Sequence, residues 1–195
     1  MAPTSTTATP TTAERIRSAC ARGGAAMLAV EGIEPVASPV HHLLDDGSFA
    51  ITVAEDGPLP AMVLSSGSAG VQTVLELTAS AQLPLREPVR SLVWIRGRLQ
   101  HVAAPDVPAL LDVIAAECPN PTLLQVNSKP RQGGDAYALM RLEIESVVVA
   151  DATGAESVAL GALLQARPDP FYAMELGWLQ YLESAPRDVV ERLAD

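Results

Sequence analysis

Arg90, Trp94, Arg96 and Arg98 share one parity within residues 88–102, so on a strand all four side chains leave the same face. A guanidinium is a planar, two-pronged donor for carboxylate or phosphate, and an indole offers a flat surface against which a ring can stack. The chemistry open to this set is recognition, either of a planar anionic small molecule or of the carboxylates of a partner, rather than proton transfer. Gly97, between two of the arginines, leaves room for close approach by a ligand or by another backbone. Together with Arg86, the segment holds four of the chain's 13 basic residues. The plainer use of such charges is pairing with Asp and Glu at a subunit contact or on a solvated face.

The other candidates are weaker. His41 and His42 are consecutive on a strand and face opposite ways, so at most one can reach a given iron or flavin; His41 is the candidate, against the alternative of a hydrogen-bonded imidazole near a strand end. His101 falls on the core face of the arginine-bearing strand, where a satisfied imidazole is expected. The run Ser65-Ser-Gly-Ser-Ala-Gly70 brings the hydroxyls of Ser66 and Ser68 and flexible amides that can cradle a phosphate, although a linker has the same composition and no cation stands within it. No Ser-His-Asp order supports a hydrolase and no two-His-one-carboxylate spacing supports a metal, so neither a catalytic residue nor a metal ligand is assigned. Cys20 and Cys118, without a CxxC pattern, read as buried thiols in a reducing compartment.

The elements that must position these residues follow from periodicity. Residues 1–10, rich in Thr, Pro and Ala, are expected to be a disordered tail. Thr11 and Glu14 have capping-box spacing, and the helix they open ends at Gly23-Gly24. Short apolar runs at 25–30, 36–44, 48–53, 61–64 and 71–77 predict strands, with Asp45-Asp46-Gly47 as a hairpin turn. Residues 83–88, with two prolines, predict a connector into the strand at 88–102. A helix over 106–117 follows, capped by Asp106 and stopped at Cys118-Pro119. After a polar loop at 127–135, residues 137–149 predict a half-buried strand whose even positions Ala138, Met140, Leu142, Ile144 and Val148 are apolar, alternating with Arg141, Glu143 and Glu145. Beyond residue 151 the pattern becomes helical over 158–166, 170–183 and 186–193. Glu175 and Trp178 read there as parts of an ordinary amphipathic stripe. The organisation is therefore a tail (1–10), a barrel domain (11–150) and a helical appendage (151–195). Closely spaced strands without regular βαβ alternation predict a small antiparallel barrel with helices around it.

Composition sets limits on partners. A length of 195 residues with 48% hydrophobic content supports a sizeable core. The net charge of −10 opposes nonspecific binding to nucleic acid or anionic membrane, and an aromatic content of 4% leaves little for base stacking. The N-terminal residues lack the basic start and apolar run of a secretory signal, and no window has the 18 or more apolar residues of a membrane-spanning helix, so a cytoplasmic protein is expected.

Several motifs resemble one family. Ala13-Glu-Arg-Ile-Arg17 leading to Ala26-Met-Leu-Ala-Val30, Val74-Leu-Glu-Leu-Thr78, Pro84-Leu-Arg-Glu-Pro-Val-Arg90 with Val93-Trp-Ile-Arg-Gly97, and Asp169-Pro-Phe171 with Glu175 and Trp178-Leu-Gln-Tyr-Leu182 are similar to HugZ-like proteins. These belong to the pyridoxamine-phosphate-oxidase-like, FMN-binding split barrels, and the segment from 151 resembles the uncharacterised C-terminal domain that accompanies HugZ-like barrels. The resemblance implies an α+β fold, a flavin-reductase-like split β-barrel with flanking helices and a helical C-terminal appendage. It also implies a homodimer with ligand sites at the subunit interface, and haem or FMN as cofactor. Tyr181 and Pro186 stand where relatives offer imidazoles, which removes the tail haem ligands the family would supply. Three functions remain open: a noncatalytic or weakly catalytic haem- or flavin-binding protein in haem or iron homeostasis or regulation, a flavin- or haem-dependent oxidoreductase, and an interaction module without a small ligand.

Overall fold

The computed structural model describes residues 9–22, 26–81, 86, 88–126 and 136–184. Helix α1 (Thr12–Ala21) begins with the expected reciprocal cap: the Glu14 N–H donates to the Thr11 hydroxyl, and the Thr11 N–H donates to the Glu14 carboxylate. Strands β1 (Ala26–Val30), β2 (Val36–Ser38), β3 (His41–Leu43) and β4 (Ser48–Ala54) follow, then α2 (Pro58–Ser66) and β5 (Val71–Ser80). The long β6 (Val89–His101) leads to α3 (Val107–Glu117), β7 (Tyr137–Asp151), β8 (Gly154–Val158), α4 (Leu160–Gln165) and α5 (Pro170–Ser184). Among the described residues the eight strands form one sheet in the order β2-β1-β5-β6-β7-β4-β3, with β8 beside β7. Every named pairing is antiparallel. The Asp45–Gly47 turn forms as expected, with the Asp46 carboxylate accepting from the Ser48 N–H and hydroxyl.

The run predicted as one strand over 36–44 is broken. Pro39 has no N–H to give to a ladder, so β2 pairs with β1 at one end of the sheet and β3 with β4 at the other. Between them Val40 is held by Thr52, whose N–H donates to the Val40 carbonyl at 2.9 Å. One short segment thus joins the two ends of the sheet and curls it into a half-barrel. Its interior is filled by Leu28, Phe49, Ile51, Leu75, Ile95, Leu99 and Met140, and is covered by Ile16 of α1 and Leu59 and Val63 of α2. A second cluster lies under α3, where Val107 and Ile114 meet Ala50 and Leu139. Strand β4 is therefore covered on both faces, which explains why Ser48 to Val53 are all buried, Thr52 included.

Residues 61–64, predicted as a strand, lie within α2. Four apolar residues fit either period, and Pro58 at the first turn together with Leu59 and Val63 one turn apart settles it as a helix. Residues 154–158 form the edge strand β8 instead of a turn running on toward a helix; a hairpin after Asp151 returns them against β7. Asp106 occupies the α3 cap position, but its side chain makes no capping bond. In β7 the even-position rule holds to Ile144, which packs half-buried against the core. A register shift pairs Arg96 with Ser146 but Gly97 with Ile144, leaving Glu145 as the extra residue. Beyond this bulge Val147 and Val149 turn inward and Val148 outward. His101, expected on the core face, is exposed at the strand end with its Nδ1 2.9 Å from the Val102 carbonyl, and Cys118 is half-buried rather than buried. The loop at 127–135, most of the connector at 83–88, residues 1–8 of the tail and the helix expected at 186–193, with Pro186, lie outside the described residues.

Candidate functional site

The parity argument for β6 holds. Val93, Ile95, Gly97 and Leu99 are buried, while Leu92, Trp94, Arg96 and Arg98 face outward. The same row runs across the neighbouring strands: Trp94 is opposite Glu76 on β5 and Val148 on β7, and Arg96 is opposite Val74 and Ser146. Trp94 Nε1–H donates to Glu76 Oε2 at 2.7 Å, which fixes the plane of a half-exposed indole. Arg96 is exposed and has no partner among the described residues. Val74, Leu92 and Val148 around them are only half-covered, so the outer sheet face holds an apolar patch with one ring and one open guanidinium, bordered by Gln72, Glu76, Glu145 and Ser146.

Arg98 reaches the serine-containing turn that follows α2. Its Nη1 donates to the Ala69 carbonyl at 2.9 Å, Gln100 Nε2 reaches the Ser68 carbonyl at 3.4 Å, and Arg98 Nη2 lies 3.7 Å from Glu145. A cation thus stands beside the 65–70 run although the run contains none. Ser68 is exposed, and the Ser66 hydroxyl is turned back onto the Val63 carbonyl at 2.7 Å. Gly70 makes this approach possible. Its φ is +64°, and a Cβ there would lie 2.7 Å from Arg98 Cγ and 2.8 Å from the Leu99 carbonyl. Gly70→Ala is expected to cost about 2 kcal/mol through backbone strain and crowding, read as a fall in thermal midpoint of about 4–8 °C.

Arg90 and His41 stand apart from this group. Arg90, at the start of β6, pairs with Glu175 on α5 at 2.6 Å. His41 is buried under α1, and neither ring nitrogen has a partner with hydrogen-bond geometry among the described residues. Desolvation pushes its pKa down to about 4; the Arg22 backbone opposes that fall and His42 adds to it. His42, half-buried, is also lowered by desolvation, with Glu117 3.5 Å away acting in the other direction. Arg17, Cys20, His42 and Glu117 border a cavity of about 90 Å³. Burial pushes the Cys20 thiol up to about 12, so it carries no nucleophile. Tyr181 is 65% exposed on α5.

The site residues that sequence reasoning missed are Glu76, which orients Trp94, and Gln72 and Glu145, which bond to each other at 3.0 Å beside Arg98. The alternation Gln72, Val74, Glu76, Thr78 is a readable outward row, but its alignment with Trp94 requires the β5–β6 register.

No family model and no curated protein matches the chain. Among solved structures it is similar to a heme binding protein from Mycobacterium smegmatis, with TM-score 0.58 and 17% identity, over 84% of this chain and 64% of that one. A protein of unknown function from Agrobacterium tumefaciens matches with TM-score 0.51 and 19% identity, over 72% of this chain and 57% of that one. An FAD and heme binding protein from Mycobacterium smegmatis matches more loosely, with TM-score 0.46 and 16% identity, over 74% and 81% of the two chains. This chain therefore spans less than two thirds of the length of the first two proteins. The curled antiparallel sheet and its flanking helices make the fold an α+β split barrel.

Proposed function

We propose that the chain binds a planar anionic cofactor, FMN or haem, on the outer face of β5–β7, in a cleft completed by a second copy of the chain. The observation that carries this reading is Arg96, an exposed guanidinium without a partner among the described residues, beside half-exposed Trp94 and the half-covered Val74, Leu92 and Val148. A half-covered apolar patch with an aromatic and an arginine at its centre and polar side chains around it has the composition of an interface core and its rim. A guanidinium covered there needs an anion, and the phosphate of a flavin or the propionates of a haem supply one.

In this reading Trp94 stacks on the ring system, Arg96 holds the anionic end, and Arg98, with the exposed Ser68 hydroxyl, extends the anion site. Among the described residues no imidazole lies on this face, since His41 is inside, His42 borders the cavity beside Glu117, and His101 is at the strand end. Haem iron needs an axial ligand and flavin does not, so the face fits a flavin better. A bound flavin would supply electron transfer; the chain's own residues bind, orient and exclude water. The fold likeness to a heme binding protein supports the ligand class, and the HugZ-like resemblance carries the same expectation together with a role in haem or iron homeostasis.

The test is one sample with two readouts. Wild-type protein is expected to show a dimer mass by light scattering at micromolar concentration, and FMN fluorescence is expected to be quenched on titration. Arg96→Glu with Arg98→Glu should weaken FMN and haemin binding at least tenfold, because two attractive charges become repulsive. Loss of dimer mass in the same sample would place these arginines at the subunit contact. A double variant that keeps both mass and ligand affinity overturns the proposal.

A further inference from the structure

At the far end of β6 from Arg98, a side chain of this protein behaves as a bound acid would. Glu175 of α5 puts Oε2 2.8 Å from Arg22 Nη2 and Oε1 2.6 Å from Arg90 Nη2, so one carboxylate is gripped by two guanidiniums brought from distant parts of the chain. Arg22 is itself fixed, since its Nη1 donates to the Ser80 carbonyl at 2.6 Å. The Arg22 and Glu175 side chains are only 15% and 19% exposed.

Beside this clamp lies a cleft of about 260 Å³ bordered by the three guanidiniums of Arg15, Arg22 and Arg90 and by the carboxylates of Asp151 and Asp169. The Nη groups of Arg15 engage Asp151, Thr12 and Glu156, but its Nε is buried without a partner among the described residues. A covered N–H of this kind is a donor awaiting an acceptor. Met174, Trp178 and Tyr181 of α5 are 44%, 55% and 65% exposed and so take no part in anchoring the helix, on which Leu179 is half-buried.

We propose that this cleft is a binding site for a small organic dicarboxylate, and that Glu175 is its internal stand-in. One carboxylate of the ligand replaces that of Glu175 on Arg22 and Arg90, and the second is met by the partly exposed guanidinium of Arg15 at the other border of the cleft. Displacement of Glu175 loosens α5 from the barrel, so ligand binding and helix docking oppose each other. The cleft is smaller than the 300–1,000 Å³ or so typical of sites for larger ligands, which suits a small acid better than a tetrapyrrole or flavin, and its lining shares no residue with the Trp94–Arg98 group. The internal competitor makes the wild-type protein a weak binder, because the tethered carboxylate acts at high effective concentration.

Succinate is the probe, titrated calorimetrically into the full chain. Glu175→Gln should bind it at least tenfold more tightly than wild type, and adding Arg90→Gln to that variant should remove the gain. Arg96→Glu with Arg98→Glu should leave succinate binding unchanged, so this proposal fails or stands apart from the outer-face reading. A folded Glu175→Gln variant that binds succinate no better than wild type overturns it. Should that variant not fold, hydrogen exchange across residues 170–184 of the wild-type chain decides. Faster exchange at saturating succinate supports displacement, and unchanged or slower exchange refutes it.

Discussion

Gly97→Ala is expected to destabilise the protein by about 3 kcal/mol or more, lowering the thermal midpoint by about 6–12 °C. A Cβ at this position would lie 2.0 Å from the Glu143 carbonyl oxygen and 2.9 Å from its carbon, and both are backbone atoms of β7 that no rotamer change can move. The room that this glycine leaves between Arg96 and Arg98 is therefore taken by the neighbouring strand, at the bulge where β6 and β7 change register. Relief would require undoing the bulge, which would turn Val147 and Val149 out of the core. Differential scanning calorimetry of the variant checks this, and a midpoint within a degree of wild type would show that the bulge yields without cost.

Acidification should weaken the fold through His41. Its folded-state pKa of about 4 lies below the ordinary value of 6.5, so the unfolded chain takes up the proton first. The stability that neutral His41 preserves is complete above pH 6.5 and is lost as pH falls toward 4, a total of about 3 kcal/mol at 1.36 kcal/mol per pKa step. His42, lowered by the same cause, acts in the same direction. Urea unfolding at pH 7 and pH 4 measures the difference. His41→Leu should flatten most of this slope and, by removing two buried nitrogens without partners, should leave stability at pH 7 equal or higher. An unchanged slope in that variant would assign the acid sensitivity to other groups.

What was legible in the sequence was local. The Thr11–Glu14 cap, the Asp45–Gly47 turn and the two faces of β6 depend on residues within a few positions of each other, and each formed as expected. The ambiguous cases were apolar runs too short to show a period, as in α2, and a polar edge strand, β8, whose sequence Gly-Ala-Glu-Ser-Val has no apolar alternation to reveal it. The β7 bulge was hidden because a one-residue slip leaves the composition unchanged while reversing every later side chain. For the site, the outward set Trp94, Arg96 and Arg98 was readable. The diversion of Arg90 to Glu175 was not, since it joins residues 22, 90 and 175 through tertiary packing alone.

The segment from β2 to β3 has a consequence for how this chain folds. Residues 26–54 form two local hairpins, and β5–β6–β7 form a meander of long strands. The two halves must meet at two seams, where Ala26 pairs with Leu77 and Ser48 with Glu143. These distant pairings carry most of the loop-closure entropy and belong to the slow part of folding. Because Pro39 and Val40 tie β2 to β3, closing one seam delivers the partner strand to the other. The second closure is then nearly free of chain entropy, so the two seams form and break as one cooperative unit.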